Sequence, residues 1–398
     1  MNFIRTINPA CLPVFYLLLL VFPNACTDAN SRSGAHTPPH SPALDDPKLR
    51  QLVSEFDRFF ADSMAGSNTP GAAVVIVKDS VVIFQRGYGV KSTKSTDAVD
   101  VHTVFRLGSL SKGFTAVLAA MLVKDSALRW EDPIIRYVPE FRLSSPEQTR
   151  QIQLSHLLSH TTGLPYHAFT DMIERGYDTR TIAARFSKLK LFGKPGERFS
   201  YQNAAFSLVG EAMQVATGKP FPALIRDKIF QPAGMRDASA DWVSIRRNPD
   251  VALPHDLTAA GWIPDTITAR YYNSAPAGGI NASIADMGQW LILLLGHRPD
   301  IIDTAALNQV FQPVVRTYNE RRYFRMWSGS REAWYGKGWR VLVNGADTIV
   351  YHGGSVNGYR GEIALDRRNG IAICALFNAS TALSSACVPA FFERFRKQ

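Results

Sequence analysis

The sequence predicts an α+β fold: one mainly antiparallel sheet flanked by helices, an inserted and mostly helical region, and a cleft where the two meet. Three observations carry this expectation. Strand-like, β-branched runs lie at both ends of the globular part, within 72–85 and 338–380, and helical periodicity dominates from about 105 to 300. A chain of 398 residues, 46% hydrophobic and 20% charged, also has ample material for a buried core and lies outside the range of disorder.

Taken in order, residues 1–26 read as an export signal. A lone Arg5 precedes an apolar run from Val14 to Phe22, which is shorter than the roughly 20 residues needed to span a bilayer. Cys26, preceded by Ala25, resembles a bacterial lipoprotein processing site; release of a soluble protein by cleavage nearby, for instance after Ala29, is the alternative. Residues 27–45 are rich in Pro, Ser and Thr without apolar periodicity, as in a linker, and 46–398 form the expected globular domain.

From Asp46, Leu49, Leu52, Phe56, Phe59, Phe60 and Met64 recur at spacings of three and four, an amphipathic helix. Ala72–Val77 and Val81–Gln85, separated by Lys78, Asp79 and Ser80, predict a hairpin. Helices are expected over 114–123, 204–216 and 284–295. Further strands are expected in "GWRVLVNGADTIVYHGG", "YRGEIALD" and "GIAICALFNAS", with turns at Asn344-Gly345 and Asn369-Gly370 and a closing helix in "ALSSACVPAFFERFRK". No repeat appears at periods of 20 to 50 residues.

The net charge of +10 and pI near 9.5 raise the question of a polyanionic partner. Basic and aromatic residues do interleave from Arg316 to Glu332, but an exported chain rarely meets nucleic acid, so a solvated face near an anionic envelope is the expectation. Cys374 and Cys387 read either as a disulfide, which export permits, or as two buried thiols. His156 and His160 stand four apart, yet Leu157 occupies the place where a zinc-binding H-E-x-x-H needs Glu; no metal or other cofactor is expected.

The chemistry concentrates in three segments. In "FRLGSLSKGFTA", Ser109 and Lys112 lie three apart at the start of an apolar helix, so a buried Lys112 amine could take the Ser109 proton while a free N–H of the first turn meets an oxyanion. S-x-x-K alone is weak: Ser187 and Lys190 match it in an open polar stretch. In "ERFSYQNAAFSLVGEAM", Tyr201 and Asn203 precede another helix, either as packing residue and N-cap or as proton shuttle and amide holder. In "YHGGSVNGY", a strand ends in His352 followed by two glycines, a mark of close backbone approach.

Together with the flanks "LSHLLSHTTGLP", "IFQPAGM" and "APAGGINASIADMGQWL", these segments resemble the serine β-lactamase and penicillin-binding protein superfamily, closest to class C β-lactamases and their D-alanyl-D-alanine peptidase and esterase relatives. The resemblance runs from about residue 50 to the end. It implies the β-lactamase/transpeptidase-like fold, with Ser109 as acylated nucleophile and Lys112 and Tyr201 sharing acid–base work. It implies that Asn203 holds the substrate amide, and that the N–H groups of Ser109 and Ser355, beside Gly354, form the oxyanion hole. His352 stands where class C enzymes usually carry lysine; a charge-dependent hold on a substrate carboxylate is therefore expected to fade as His352 deprotonates, with Arg360 as a second anchor. The implied substrate is a β-lactam, with a D-alanyl peptide or D-amino-acid amide, a simple ester, or a non-hydrolytic sensor role as alternatives. A monomer is expected, with no nucleic acid and with membrane contact only through a lipid on Cys26.

Overall fold

A computed structural model of the chain describes residues 45–318, 324, 326, 327, 332–344 and 347–397. Residues 1–26, expected to be an export signal, and nearly all of 27–45, expected to be a linker, lie outside these residues, as do Gly345 and most of the basic stretch after Tyr318. Every described element belongs to the unit Ser41–Gln398.

Asp46 caps helix α1 (Pro47–Gly66): its side chain accepts from Lys48 N–H at 2.8 Å, and Pro47 fits the first turn, where no N–H partner is needed. Strands β1 (Gly71–Lys78) and β2 (Val81–Gly89) form the expected hairpin, turning at Asp79 with φ 54°. Three long helices follow in the middle: α2 (Ser111–Lys124), α3 (Asn203–Thr217), closed by a left-handed Gly218, and α4 (Ile284–Leu294). The C-terminal part supplies β3 (Val315–Arg316), β4 (Glu332–Tyr335), β5 (Arg340–Asn344), β6 (Asp347–Val356), β7 (Tyr359–Asp366), β8 (Ile371–Phe377) and α5 (Leu383–Phe395).

All these strands join one antiparallel sheet in the order β2-β1-β8-β7-β6-β5-β4-β3. The first hairpin thus docks against the last strand, as the placement of strands at both ends of the sequence requires. Strand side chains alternate between faces, and here both faces are covered. Ala73, Val75, Cys374 and Leu376 join the core formed with α2, α3 and α4, while Ala72, Val74, Ile373 and Phe377 pack against α1 and α5. Double coverage explains why β1 and β8 are apolar throughout rather than alternating. The terminal helices meet through Phe56 and Phe391, edge to face at 5.4 Å. On the other side Phe114 of α2 stacks on Trp290 of α4 at 3.9 Å. Cys374 and Cys387 are both buried and free, so they are separate thiols and not a disulfide.

Candidate active site

The turn that carries Ser109 is built by close backbone approach. Gly108–Leu110 form a short 3-10 turn leading into α2, with Gly108 at φ 52°. A Cβ on Gly108 would come within 2.9 Å of the backbone N, C and O of Ser355, and one on Gly354 within 2.3 Å of Leu107 O. Only glycine at both places lets the end of β6 lie against the turn that carries Ser109. The backbones of Ser109 and Ser355 are thereby brought together, with Ser109 half-buried and Ser355 exposed.

Lys112 is buried completely, and its Nζ meets three oxygens: Asn203 Oδ1 at 2.7 Å, the Ala277 carbonyl at 2.8 Å and Ser109 Oγ at 3.3 Å. Loss of water, reinforced by the Arg340 charge, holds the Lys112 pKa well below its ordinary 10.5. The donor count then has a consequence. The Asn203 oxygen and the Ala277 carbonyl only accept, so a neutral amine gives them its two N–H groups and turns its lone pair to the Ser109 hydroxyl. That is the geometry of a general base poised on a serine. Ala277 is held by neighbouring bonds from α2: Thr115 Oγ1 donates to Pro276 O at 2.7 Å, and Ser111 Oγ accepts from Ile280 N–H at 3.0 Å.

Tyr201 is buried beside this amine, its ring centroid 4.8 Å from Lys112 Nζ. Asn203 is the first residue of α3, one place inside the Gln202 cap, so its side chain is turned to Lys112 and not spent on capping. The second S-x-x-K match, at Ser187 and Lys190, lies in the open as its context suggests: Ser187 is exposed and donates to Ala184 O at 3.0 Å.

Two expectations need correction. His352 is fully buried, with Nδ1 2.8 Å from Gly353 O and Nε2 facing Tyr335 OH at 3.1 Å and Arg340 Nη1 at 3.3 Å. Nδ1–H donates to the carbonyl and Nε2 accepts. Burial first, then the charges of Arg340 and Lys112, hold its pKa well below 6.5. His352 is therefore neutral at physiological pH and is no switchable cation. Arg360 is not an anchor in the cleft either. Its guanidinium bonds Glu362 Oε1 at 2.7 and 3.1 Å. The next residue, Gly361, faces Leu110 of the turn that carries Ser109, so strand alternation sends Arg360 and Glu362 to the opposite face.

The site also contains groups that no motif in the sequence marks. His160, buried with φ 57°, accepts from Gln202 N–H at 3.1 Å and packs its ring 4.2 Å from that of Tyr201, fixing the start of α3. His156 instead caps its own helix through Gln153, so the two histidines serve different elements. Among the described residues, no group of three or more His, Cys, Asp or Glu is gathered to hold a metal. Tyr271, at φ 71°, fills the space beside Gly278, where a Cβ would meet its ring at 3.3 Å. Arg340, beside His352, is the third such residue. Beyond Tyr201 and Tyr335, a pocket of about 600 Å³ opens between Phe192, Phe199 and Trp334.

This arrangement has recognisable relatives. Unguisins hydrolase ungD' of Aspergillus campestris (strain IBT 28561) is 26% identical over 349 residues, 84% of this chain and 62% of the relative. Protein flp of Staphylococcus aureus (strain N315) is 23% identical over 350 residues, 86% of this chain and 66% of the relative. The chain thus spans just under two thirds of the length of these curated relatives. Among solved structures, the octameric penicillin-binding protein homologue from Pyrococcus abyssi matches in fold with a TM-score of 0.73 at 24% identity, over 86% of this chain and 76% of that one. A family model described as Beta-lactamase matches residues 56–394, and the chain belongs to this family of serine hydrolases and penicillin-binding proteins, with their β-lactamase/transpeptidase-like fold.

Proposed function

We propose that the protein is an exported serine hydrolase that forms an acyl-enzyme at Ser109 and cleaves the amide of a β-lactam ring. The observation that carries the acylation step is the Lys112 amine, dehydrated and held by two pure acceptors so that its lone pair faces Ser109 Oγ. In this reading Lys112 takes the serine proton as Oγ attacks the carbonyl. The N–H groups of Ser109 and Ser355, set together by Gly108 and Gly354, receive the oxyanion. Tyr201 passes a proton to the leaving nitrogen, and water then cleaves the ester.

A second reading, an amidase or esterase for substrates without a carboxylate, is favoured by the neutral His352, which offers no charge to such a group. Purified protein mixed with nitrocefin, a D-alanyl-D-alanine peptide and p-nitrophenyl butyrate separates the two. Lactam turnover with a transient acyl mass on the Ser109 peptide supports the first reading; turnover of the ester alone supports the second. Unchanged turnover in Ser109→Ala would refute both.

Export on residues 1–26, with or without a lipid on Cys26, belongs to the same proposal, and fractionation of a tagged full-length chain tests it. The monomeric state is likewise proposed, with light scattering as its test.

A further inference from the structure

We propose that Arg340 is a positioning residue of the acylation machinery: a fixed cation on the strand beside His352 that favours the proton-accepting form of Lys112 and sets the His352 tautomer. This inference rests on the acyl-enzyme reading and adds a residue to it.

Arg340 opens β5 and is only 2% exposed. The turn before it packs on the nucleophile helix. Gly338 N–H donates to Leu158 O at 2.9 Å, and a Cβ on Gly338 would come within 2.5 Å of Lys112 O. Trp339 fits against Gly113, one residue after Lys112. The guanidinium is thus delivered by a rigid connection to the helix that carries the base.

Its surroundings are aromatic. The Cζ atom lies 5.5 Å from the Tyr201 ring centroid and 5.8 Å from that of Tyr335. Lys112 Nζ lies 4.8 Å from the same Tyr201 centroid, so the two cationic groups flank one phenol within about 10 Å of each other. Arg340 Nη1 also points at His352 Nε2, which must then carry a lone pair, leaving the proton on Nδ1 for Gly353 O.

Other charged or titratable groups feel Arg340. Glu362, Tyr351 and Arg360 lie on the far face, where Tyr351 and Arg360 both bond the Glu362 carboxyl; His160 lies on the near face beside Tyr201. The Arg340 charge acts on Lys112 in the same direction as burial does. A unit charge at about 10 Å with an effective dielectric near 20 moves a titration by roughly one pH unit. Removing a cation raises the affinity of a base for its proton, so the acid limb of kcat/KM must move to higher pH.

The test compares Arg340→Gln and Arg340→Lys. Two readouts are used: the pH profile of kcat/KM on whichever substrate the wild type turns over, and the ¹³Cε titration of Lys112 by NMR. An upward shift of about one pH unit in both for Arg340→Gln, with Arg340→Lys close to wild type, is the expected result. A loss of kcat/KM by one constant factor at every pH, with the Lys112 titration unmoved, would overturn the proposal by reducing Arg340 to packing. So would an Arg340→Gln chain that fails to fold while Arg340→Lys folds. The NMR titration needs no turnover; a wild type that is never acylated would sink the acyl-enzyme reading and leave the Arg340 result standing by itself.

Discussion

Gly108→Ala gives the sharpest test of how the site is assembled. The ideal Cβ would sit 2.8 Å from Ser355 C and O and 2.9 Å from Ser355 N, and these are backbone atoms that cannot rotate away. Non-bonded heavy atoms prefer about 3.5 Å or more, so the turn and the strand must part by roughly 0.7 Å. Alanine must also hold φ 52°, at a cost of about 1 kcal/mol. A 1 Å misplacement near the chemistry costs about a hundredfold, and loss of one oxyanion donor about a hundred- to a thousandfold. The expected loss in kcat/KM is therefore between about tenfold and a few hundredfold, with a fall in Tm of only ~1–2 °C. Steady-state kinetics, acylation followed by mass, and calorimetry on the same preparation separate the two effects. Activity within twofold of wild type would refute the idea that Ser109 and Ser355 form one constrained unit.

The remaining expectations concern protonation and the core. Burial, with the Asp237 charge, raises the pKa of Asp286 to about 6 from 3.8, so its contribution to stability is full below pH 3.8 and is lost as pH rises through 6. The Tm of Asp286→Asn minus that of wild type should grow more positive from pH 5 to pH 8, by about 1.4 kcal/mol in stability terms; a constant difference would contradict this. With His352 and His160 both held neutral, kcat/KM should show no imidazole inflection between about pH 6 and 8, and a clear step there would reverse the assignment of His352. Cys374 and Cys387, both buried with their thiols pushed up, should react with a disulfide reagent only in denaturant; rapid labelling of the native chain would show that the core opens.

Local chemistry was legible wherever one short segment carries its own signal. The hairpin at Asp79 follows from two β-branched runs and a polar turn, and α1 from the spacing of Leu49, Leu52, Phe56 and Phe60. Ser109 and Lys112 were legible because three residues of helix fix their geometry in advance. What stayed hidden depends on contacts between distant segments. The third partner of Lys112 is the carbonyl of Ala277, 165 residues away, and a carbonyl has no side-chain signature. His160 sits 42 residues from the Gln202 N–H it accepts. Tyr271 matters because Gly278 leaves it room, and that is a property of the pair.

The two misread residues, His352 and Arg360, share a cause. A motif locates a residue along a strand, but which face it takes and whether it is charged are set by neighbours from other strands. Arg360 lies opposite Ser355 in register, yet alternation sends its guanidinium to Glu362 behind the sheet. His352 does lie on the side of Tyr201, but burial and a guanidinium from β5 hold its pKa well below the ordinary imidazole value. The positive charge expected at 352 stands instead at Arg340, twelve residues earlier in sequence and 3.3 Å away in space. A fixed arginine at that place cannot titrate as an imidazole does. If Arg340 acts as proposed, the site keeps a cation beside Tyr201 across the whole neutral range, and the pH dependence of the reaction is expected to follow Lys112 rather than His352.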